Sequence, residues 1–292
     1  MDTAYEESED GDHEQAEVES SVVSGSSTRR SSISAPVNGH TNGVAKPIPT
    51  PVDYEIPRKL LHSSIGFLTL YLYLGEGDAR KVVLALWSAL CLIYPADMLR
   101  FRSRRFAALY EKLLGFLMRE SERDKVNGVV WYILGVNFVL SCYPIDVATV
   151  SVLILSWADT TASTFGRMYG RLTPKLPPRL FGLPLAPRKS VAGFIAASVT
   201  GAAVAVGFWG VLGTRRFGGQ DATWTWEGGV RNSGGGGALG LALIGIVAGL
   251  VSGVAEALDL GSLDDNLTLP IISGGCLYGF FKLWEMASSW FS

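Results

Sequence analysis

The sequence predicts an all-α, polytopic integral membrane protein with about seven transmembrane helices, one interfacial helix and a disordered N-terminal tail. Hydrophobic residues make up 48% of the 292 residues, and the mean hydropathy is positive. Apolar runs that match a hydrocarbon core of ~30 Å recur from residue 60 towards the C-terminus. Residues 1–54 are instead rich in Ser, Glu, Asp, Asn, Gly and Pro, too poor in apolar side chains to fold. We therefore divide the chain into a tail, 1–54, and a membrane-embedded domain, 55–292.

The predicted spans are apolar segments separated by charged or glycine-rich turns. They cover about 60–74, 82–99, 127–143, 144–158, 190–212, 238–258 and 269–287. Residues 106–118 have apolar positions at helical spacing, but the charge pair Glu111 and Lys112 interrupts them. This segment is predicted to be an interfacial helix, with a span as the alternative.

Basic clusters predict the sidedness of the membrane domain. They lie at Arg58 and Lys59, at 100–105, at 119–125 and at 167–189, and the positive-inside rule assigns them to the cytosol. Alternation of the predicted spans gives the same sides and a cytosolic N-terminus. The sequon that begins at Asn266 would then face the cytosol and stay unglycosylated.

Residues 1–55 contain about eleven acidic residues against about three basic ones, so a nearly neutral chain combines an acidic tail with a basic membrane body. It lacks the apolar core of a secretory signal. Residues 29–32, Arg-Arg-Ser-Ser, resemble a basophilic kinase site, so protein kinases acting on the tail are expected partners. No nucleic-acid partner is expected.

Asp159 is the most informative residue for function. It ends an apolar run of membrane quality, and an acid in or beside lipid is a functional hypothesis by default. In a helix, Ala162, Ser163, Gly166 and Gly170 share its face, because they follow at offsets of three and four. Two interpretations stay open: a cation anchor with bare backbone beside it, or close helix packing at Gly166 and Gly170.

Two further clusters supply the parts that phosphoryl or nucleotidyl transfer requires. Ser190 caps a predicted helix, and its neighbours Arg188 and Lys189 make that helix start a candidate anion site. Glu256, near the end of the sixth span, and Asp265 are candidates for binding a second metal ion or orienting the first.

Soluble nucleotide-binding templates do not apply. The chain has no Walker A sequence and no H-R-D or D-F-G set. Residues 235–240 match G-x-G-x-x-G, but no strand precedes them, so a dinucleotide site is excluded by context.

Four motifs together resemble the CTP-transferase superfamily of integral membrane proteins. They are Pro57-Arg58-Lys59-x-x-His62, the ladder from Asp159 to Gly170, Lys189-Ser190-x-x-Gly193, and Glu256 followed by Asp265-Asn266-Leu267-Thr268-x-Pro270. The resemblance covers residues 55–285 and is closest to the fungal CTP-dependent diacylglycerol kinases. The histidine and acids that end the cytidylyltransferase signature are missing after Pro270, and dolichol kinases are usually much longer.

The resemblance implies phosphorylation of diacylglycerol to phosphatidate, with CTP as phosphoryl donor and Mg²⁺, or another divalent cation such as Ca²⁺, as cofactor. Its catalytic residues would be Asp159, Arg58, Lys59 and Gly166. Its nucleotide- and phosphate-binding residues would be Lys189, Arg188, Ser190, Gly170 and Arg167. Its metal ligands would be Asp159, Asp265 and Glu256.

The same resemblance implies a multi-pass protein of the endoplasmic reticulum and nuclear envelope, and it does not indicate an oligomeric state. The alternatives within enzymes are a kinase of dolichol, polyprenol or another lipid alcohol, and a phosphatidate cytidylyltransferase. A transporter or lipid scaffold is the alternative outside enzymes, because embedded acids also mark transport paths. No inverted repeat relates the two halves of the sequence.

Overall fold

The computed structural model describes residues 55–115, 118, 125–180 and 182–291, and helices dominate this part of the chain. The predictions for the tail 1–54, including the kinase site at 29–32, lie outside the described residues. The all-α fold class and the polytopic membrane organisation are confirmed by the helices of the membrane domain.

The described residues of the first half of the domain form four helices: α1 (Ile56–Leu74), α2 (Ala79–Arg102), α3 (Arg104–Leu114) and α4 (Gly128–Cys142). Asp78, Ser103 and Asn127 begin α2, α3 and α4, and each accepts a backbone N–H of the first turn. At 1.5 Å per residue α3 is about 16 Å long, too short to cross a bilayer. Its length therefore fits the predicted interfacial helix.

A continuous helical rod follows, Ile145–Tyr169, in which α5 (Ile145–Leu153) and α6 (Asp159–Tyr169) are joined by a π-helix at Ile154–Ala158. The predicted span 144–158 is thus the first part of a longer helix. Asp159 lies inside this helix, one residue after the π-turn, instead of at a helix end. Such turns are frequent at functional sites.

The last part of the chain contains α7 (Val191–Gly207), which continues as a π-helix at Phe208–Leu212, then α8 (Gly237–Ala257) and α9 (Asp265–Phe291). Helices α7 and α8 pack along their small residues. At Gly201, for example, an added Cβ would collide with Ser252, whose hydroxyl donates to the carbonyl of Ala197 at 3.0 Å. This interface is of the small-residue type that stabilises helix pairs in membranes.

Two short antiparallel hairpins occupy the loops: β1 (Arg179–Leu180) with β2 (Leu183–Pro184), and β3 (Trp224–Thr225) with β4 (Gly229–Val230). The second hairpin lies in the glycine-rich segment that follows α7, together with a 3₁₀ turn at Arg216–Gly219. The first precedes α7 in the chain.

Within the residues that the structure describes, five helices are long and apolar enough to cross a membrane: Ala79–Arg102, Ile145–Tyr169, Val191–Leu212, Gly237–Ala257 and Asp265–Trp290. The other two predicted spans are also helical, but α1 is not among these five and α4 is a shorter apolar helix. The count of seven spans stays a prediction.

Candidate active site

A cavity of about 1310 Å³ lies where α6 meets the start of α7 and the end of α8. The loop before α9, the end of α2 and the starts of α1 and α4 also contribute to its wall. The predicted site residues that line it are Arg58, Asp159, Gly166, Arg167, Gly170, Arg188, Lys189, Ser190, Glu256 and Asp265. The four sequence clusters therefore meet in one place, although they are up to about 200 positions apart in the chain.

The Asp159 ladder forms one side of this cavity. Asp159, Ala162, Ser163, Gly166 and Gly170 all line it, so the predicted shared face is confirmed. Arg167 and Arg171 line the cavity from the same stretch.

Asp159 retains free acceptor capacity. Within the described residues, the basic side chain nearest to its carboxylate is His62, with 3.9 Å between Asp159 Oδ2 and His62 Nδ1. The ring of His62 packs edge-on against Tyr132, and the hydroxyl of Tyr132 is 2.9 Å from Ser156 Oγ. In the part of the chain that the structure describes, no hydrogen-bond donor reaches the Asp159 carboxylate.

Lys189 is held by two acids instead of standing free for a phosphate. Its Nζ lies 3.2 Å from Glu256 Oε1 and 3.0 Å from Asp265 Oδ2, and it also donates to the backbone carbonyl of Glu256. Burial lowers the pKa of Lys189, but attraction to Glu256 and Asp265 outweighs it and raises that pKa overall. The ammonium therefore remains charged at neutral pH and joins the starts of α7 and α9 to the end of α8.

Glu55 organises the entrance of α1. It precedes the helix with a φ of 49°, and its two carboxylate oxygens accept from Arg58 at 3.1 Å and from Arg167 at 2.6 Å. Two of the predicted basic site residues are thus oriented by one acid. The sequence prediction missed Glu55, because it directly follows the tail and no pattern connects it with Arg167.

Lys59 lies outside the cavity wall that the described residues form. Its Nζ donates to Thr164 Oγ1 at 3.1 Å and so connects α1 with α6. Ser190 caps α7 as predicted, with Gly193 N donating to its Oγ at 3.4 Å. Asn266, the predicted unmodified sequon residue, is buried, and its Nδ2 donates to the carbonyl of Gly128 at 3.3 Å.

Four exposed basic side chains of the cavity wall have no carboxylate partner within the described residues: Lys125, Arg171, Lys175 and Arg188. Only Arg188 was singled out from the sequence. Lys125 is positioned by the end of α2, where Asp97 accepts the backbone N–H of Asn127 at 2.9 Å and Arg100 donates to the Lys125 carbonyl. Arg171 and Lys175 continue the basic segment 167–189 past the end of the ladder. The positions of charged residues in the sequence are the signal that could have identified them.

The acids of the cavity suit a divalent cation that takes oxygen ligands. Glu256 Oε2 is buried without a hydrogen-bond partner, and Asp159 has free acceptor capacity on the same cavity. In the described ranges no three His, Cys, Asp or Glu side chains form a complete metal cluster. Mg²⁺ needs only one or two carboxylates when phosphate oxygens and water complete its shell. The residues present therefore fit a cation that arrives with a polyphosphate.

Three curated relatives carry the name CTP-dependent diacylglycerol kinase 1. The protein of Schizosaccharomyces pombe is 36% identical over 225 residues, which cover 77% of this chain and 93% of that protein. The Saccharomyces cerevisiae protein is 38% identical over 221 residues, which cover 75% and 71%. The Eremothecium gossypii protein is also 38% identical over 221 residues, which cover 75% and 65%.

No protein-family model matches the chain, and no solved structure matches it. The family assignment therefore rests on these relatives. The aligned regions cover about three quarters of this chain and, for S. pombe, nearly the whole relative. The chain belongs to the family of CTP-dependent diacylglycerol kinases.

Proposed function

We propose that this protein phosphorylates diacylglycerol to phosphatidate with CTP as the donor. The observation that carries the proposal is one cavity lined both by acids and by bases. The acids are Asp159 and Glu256, whose Oε2 has no hydrogen-bond partner within the described residues, and the bases are Arg171, Lys175 and Arg188. Acids for a cation and bases for phosphates are the parts that phosphoryl transfer needs, since its catalysis is mostly positioning and charge stabilisation. The curated relatives carry the same activity in their names.

The reaction forms one bond and breaks one. The free hydroxyl oxygen of diacylglycerol bonds to the γ-phosphorus of CTP, the bond from that phosphorus to the β,γ-bridging oxygen breaks, and CDP leaves. The hydroxyl proton is released. The products are CDP and phosphatidate.

Residue roles follow from the contacts in the cavity. Arg171, Lys175, Arg188 and Lys125 would bind the triphosphate, because no carboxylate in the described residues neutralises them. Arg58 and Arg167 would bind phosphate oxygens in the orientation that Glu55 gives them. The absence of side chains at Gly166 and Gly170 would leave space for the nucleotide, and Lys59 would align α1 with α6 through Thr164.

Asp159 would hold the divalent cation, Mg²⁺ or Ca²⁺, with Glu256 or Asp265 as a further ligand. When bound, such an ion neutralises charge on the phosphates of the nucleotide. Lys189 would restrain Glu256 and Asp265, since it contacts both.

The proposal includes a location and a side. The cavity would face the cytosol, with the N-terminus on the same side, in the membranes of the endoplasmic reticulum and nuclear envelope. Protein kinases acting on the tail would be partners. The basic clusters on the cavity side support this orientation through the positive-inside rule.

The test uses the full chain purified in detergent micelles, with γ-labelled CTP or ATP and separate diacylglycerol, dolichol and phosphatidate substrates. We expect labelled phosphatidate from CTP and diacylglycerol, and loss of that label in the Asp159→Asn variant. Labelled dolichyl phosphate instead would make the protein a polyprenol kinase. Pyrophosphate release with phosphatidate would make it a cytidylyltransferase, and no product with any pair would favour a transporter or scaffold.

A further inference from the structure

The end of α2 contains a buried ion pair whose two members do not line the large cavity. In the described structure three of the 24 residues of this helix are buried: Leu90, Asp97 and Arg100. Asp97 is fully buried, and its Oδ1 accepts from Arg100 Nε at 2.6 Å. Helix α2 is a candidate membrane span, and an ionisable residue in such a span is a functional hypothesis by default.

The ion pair holds the segment 125–127, which leads into α4, at two points. Asp97 Oδ2 accepts the backbone N–H of Asn127 at 2.9 Å, and Arg100 donates to the backbone carbonyl of Lys125. One residue, Val126, lies between these two contacts. The backbone of the segment is therefore fixed relative to the end of α2.

Asn127 connects the ion pair with two further helices. Its Oδ1 accepts from Val129 N at 3.0 Å at the start of α4, and its Nδ2 donates to the hydroxyl of Tyr110 at 3.1 Å. Tyr110 is the buried residue of α3, and the guanidinium of Arg100 lies 5.6 Å from the centre of its ring. We call these four buried side chains the Asp97 cluster: Asp97, Arg100, Tyr110 and Asn127.

Neighbours of the Asp97 cluster in the sequence line the cavity. Phe101 follows Arg100 directly, and Lys125 and Val126 precede Asn127. The guanidinium of Arg100 lies 4.3 Å from the centre of the Phe101 ring. Lys125 is exposed and has no carboxylate partner within the described residues. The cluster thus supports the part of the cavity wall from which Lys125 extends.

We propose that Asp97 is a positioning residue for CTP binding, which deepens the proposed function and rests on it. Through Arg100 and Asn127, Asp97 fixes the backbone of Lys125 before the triphosphate binds. A lysine on an unrestrained segment would lose more conformational freedom on binding, and preorganisation reduces that cost. A buried ion pair often stabilises a fold no more than apolar side chains of similar volume. Stability alone therefore does not account for an acid at this position.

The first test is Asp97→Asn in the full chain, purified in detergent micelles. This change keeps the size of the side chain, but its amide cannot accept both the Arg100 and the Asn127 hydrogen bonds with carboxylate oxygens. We expect the KM for CTP to rise about fivefold, the scale for ordering one long side chain, with kcat within about twofold of wild type. An unchanged KM for CTP in a folded variant would overturn the proposal.

A double-mutant cycle shows whether Asp97 acts through Lys125. Lys125→Ala alone should raise the KM for CTP about tenfold, because it removes a charged contact with the triphosphate. In that background Asp97→Asn should add less than about twofold, since the side chain that it positions is already missing. Independent effects, which multiply to about fiftyfold, would overturn the proposal.

Asp146→Asn is the matched control, because Asp146 is also fully buried and does not line the cavity. It should lower the unfolding temperature and leave the KM for CTP unchanged. An equal rise in that KM for Asp146→Asn and Asp97→Asn would show that the KM follows a general loss of stability, and would overturn the positioning role.

Two further arms cover misfolding and failure of the proposed function. If Asp97→Asn is not monodisperse, Tyr110→Phe replaces it, because it removes only the hydroxyl that accepts from Asn127. Titration calorimetry with CTP and Mg²⁺, without diacylglycerol, measures the Kd for CTP independently of turnover. The Kd should change by the same factors as the KM, and an unchanged Kd overturns the positioning role. Wild type that binds CTP but forms no phosphatidate overturns the proposed function instead.

Discussion

Two carboxylates at different depths of the same helical rod have opposite surroundings. Asp146, in the first turn of α5, is fully buried and accepts four hydrogen bonds, from Trp209 Nε1 at 3.0 Å, Thr223 N at 2.6 Å, Thr223 Oγ1 at 2.9 Å and Val147 N at 2.8 Å. Asp159, about 20 Å along the axis at 1.5 Å per residue, lines the large cavity and has His62 at 3.9 Å.

The comparison separates structural from functional acids in a membrane domain. Both are costly to place in a membrane-spanning helix. The Asp146 carboxylate is fully buried, whereas the side chain of Asp159 is 17% exposed. The carboxylate oxygens of Asp146 accept hydrogen bonds from Trp209 and Thr223, and so connect the segment after α7 to the start of α5. The acceptors of Asp159 face a cavity bordered by basic residues. The candidate site is therefore marked by a carboxylate whose oxygens accept no hydrogen bond from the described residues, more than by the presence of an acid.

The largest effect is expected for Asp159→Asn. This change keeps the shape of the side chain and removes the charge that we propose holds the cation. We expect kcat for phosphatidate formation to fall by about 100-fold or more, the scale for losing a preorganised electrostatic contact. Thermal unfolding in detergent should be close to wild type, because the carboxylate makes no hydrogen bond in the described part of the chain.

Asp146→Asn is the matched variant at the other end of the rod. An amide would present N–H groups to donors that now meet carboxylate oxygens, so we expect a loss of about 3 kcal/mol of stability. The folded fraction should keep its KM for CTP. A stable but inactive Asp146→Asn variant, or an unstable Asp159→Asn variant, would reverse the assignment of the two acids.

The next largest effects are expected for the cavity bases that have no carboxylate partner within the described residues. Arg188→Ala and Arg171→Ala should each raise the KM for CTP about tenfold, because a hydrogen bond between charged groups contributes about 1.5–3 kcal/mol. Arg179→Ala, on the exposed strand β1 and outside the cavity wall, is the control and should leave that KM unchanged. A rise in the KM for diacylglycerol alone would contradict the assignment to phosphates.

Local sequence signals predicted much of this arrangement, and long-range pairing accounts for what they missed. The helical positions and the face shared by Asp159 and Gly166 follow from apolar runs and spacing within one helix. Glu55 pairs with Arg167, and Asp146 with Thr223, across 112 and 77 positions that no periodicity connects. The two π-helices were also missed, because an added residue in a turn leaves no compositional trace.

A smaller effect is expected for Gly166→Ala. This variant decides whether the ladder from Asp159 to Gly170 is a ligand site with bare backbone or a surface for close helix packing. A Cβ at Gly166 would lie 3.6 Å from Ser190 Oγ and 3.7 Å from Gly193 Cα, which is ordinary contact. At Gly193 the nearest atom, the carbonyl oxygen of Ala162, would be only 3.1 Å away. Helix packing is therefore tight at Gly193 and has room at Gly166.

We accordingly expect Gly166→Ala to keep its stability within about 0.5 kcal/mol, as substitutions without a clash usually do. Its kcat/KM for CTP should fall about fivefold, because the methyl group enters the proposed nucleotide space. Gly193→Ala should instead lower the unfolding temperature. Normal activity together with lost stability in Gly166→Ala would make the ladder a packing device only.

The smallest effect is expected for glycosylation. It tests on which side of the membrane, cytosolic or lumenal, each of the two acids lies. Asn266 lines the Asp159 cavity and begins a natural sequon, whereas Asp221→Asn creates a sequon with Thr223, the partner of Asp146. If the cavity faces the cytosol, expression in a eukaryotic host should give a glycosidase-sensitive mass shift for Asp221→Asn and none for the natural chain. Since glycans are added only on the lumenal side, a shift that Asn266→Gln removes would place the cavity away from cytosolic CTP. The Asp146 end would then be the cytosolic one.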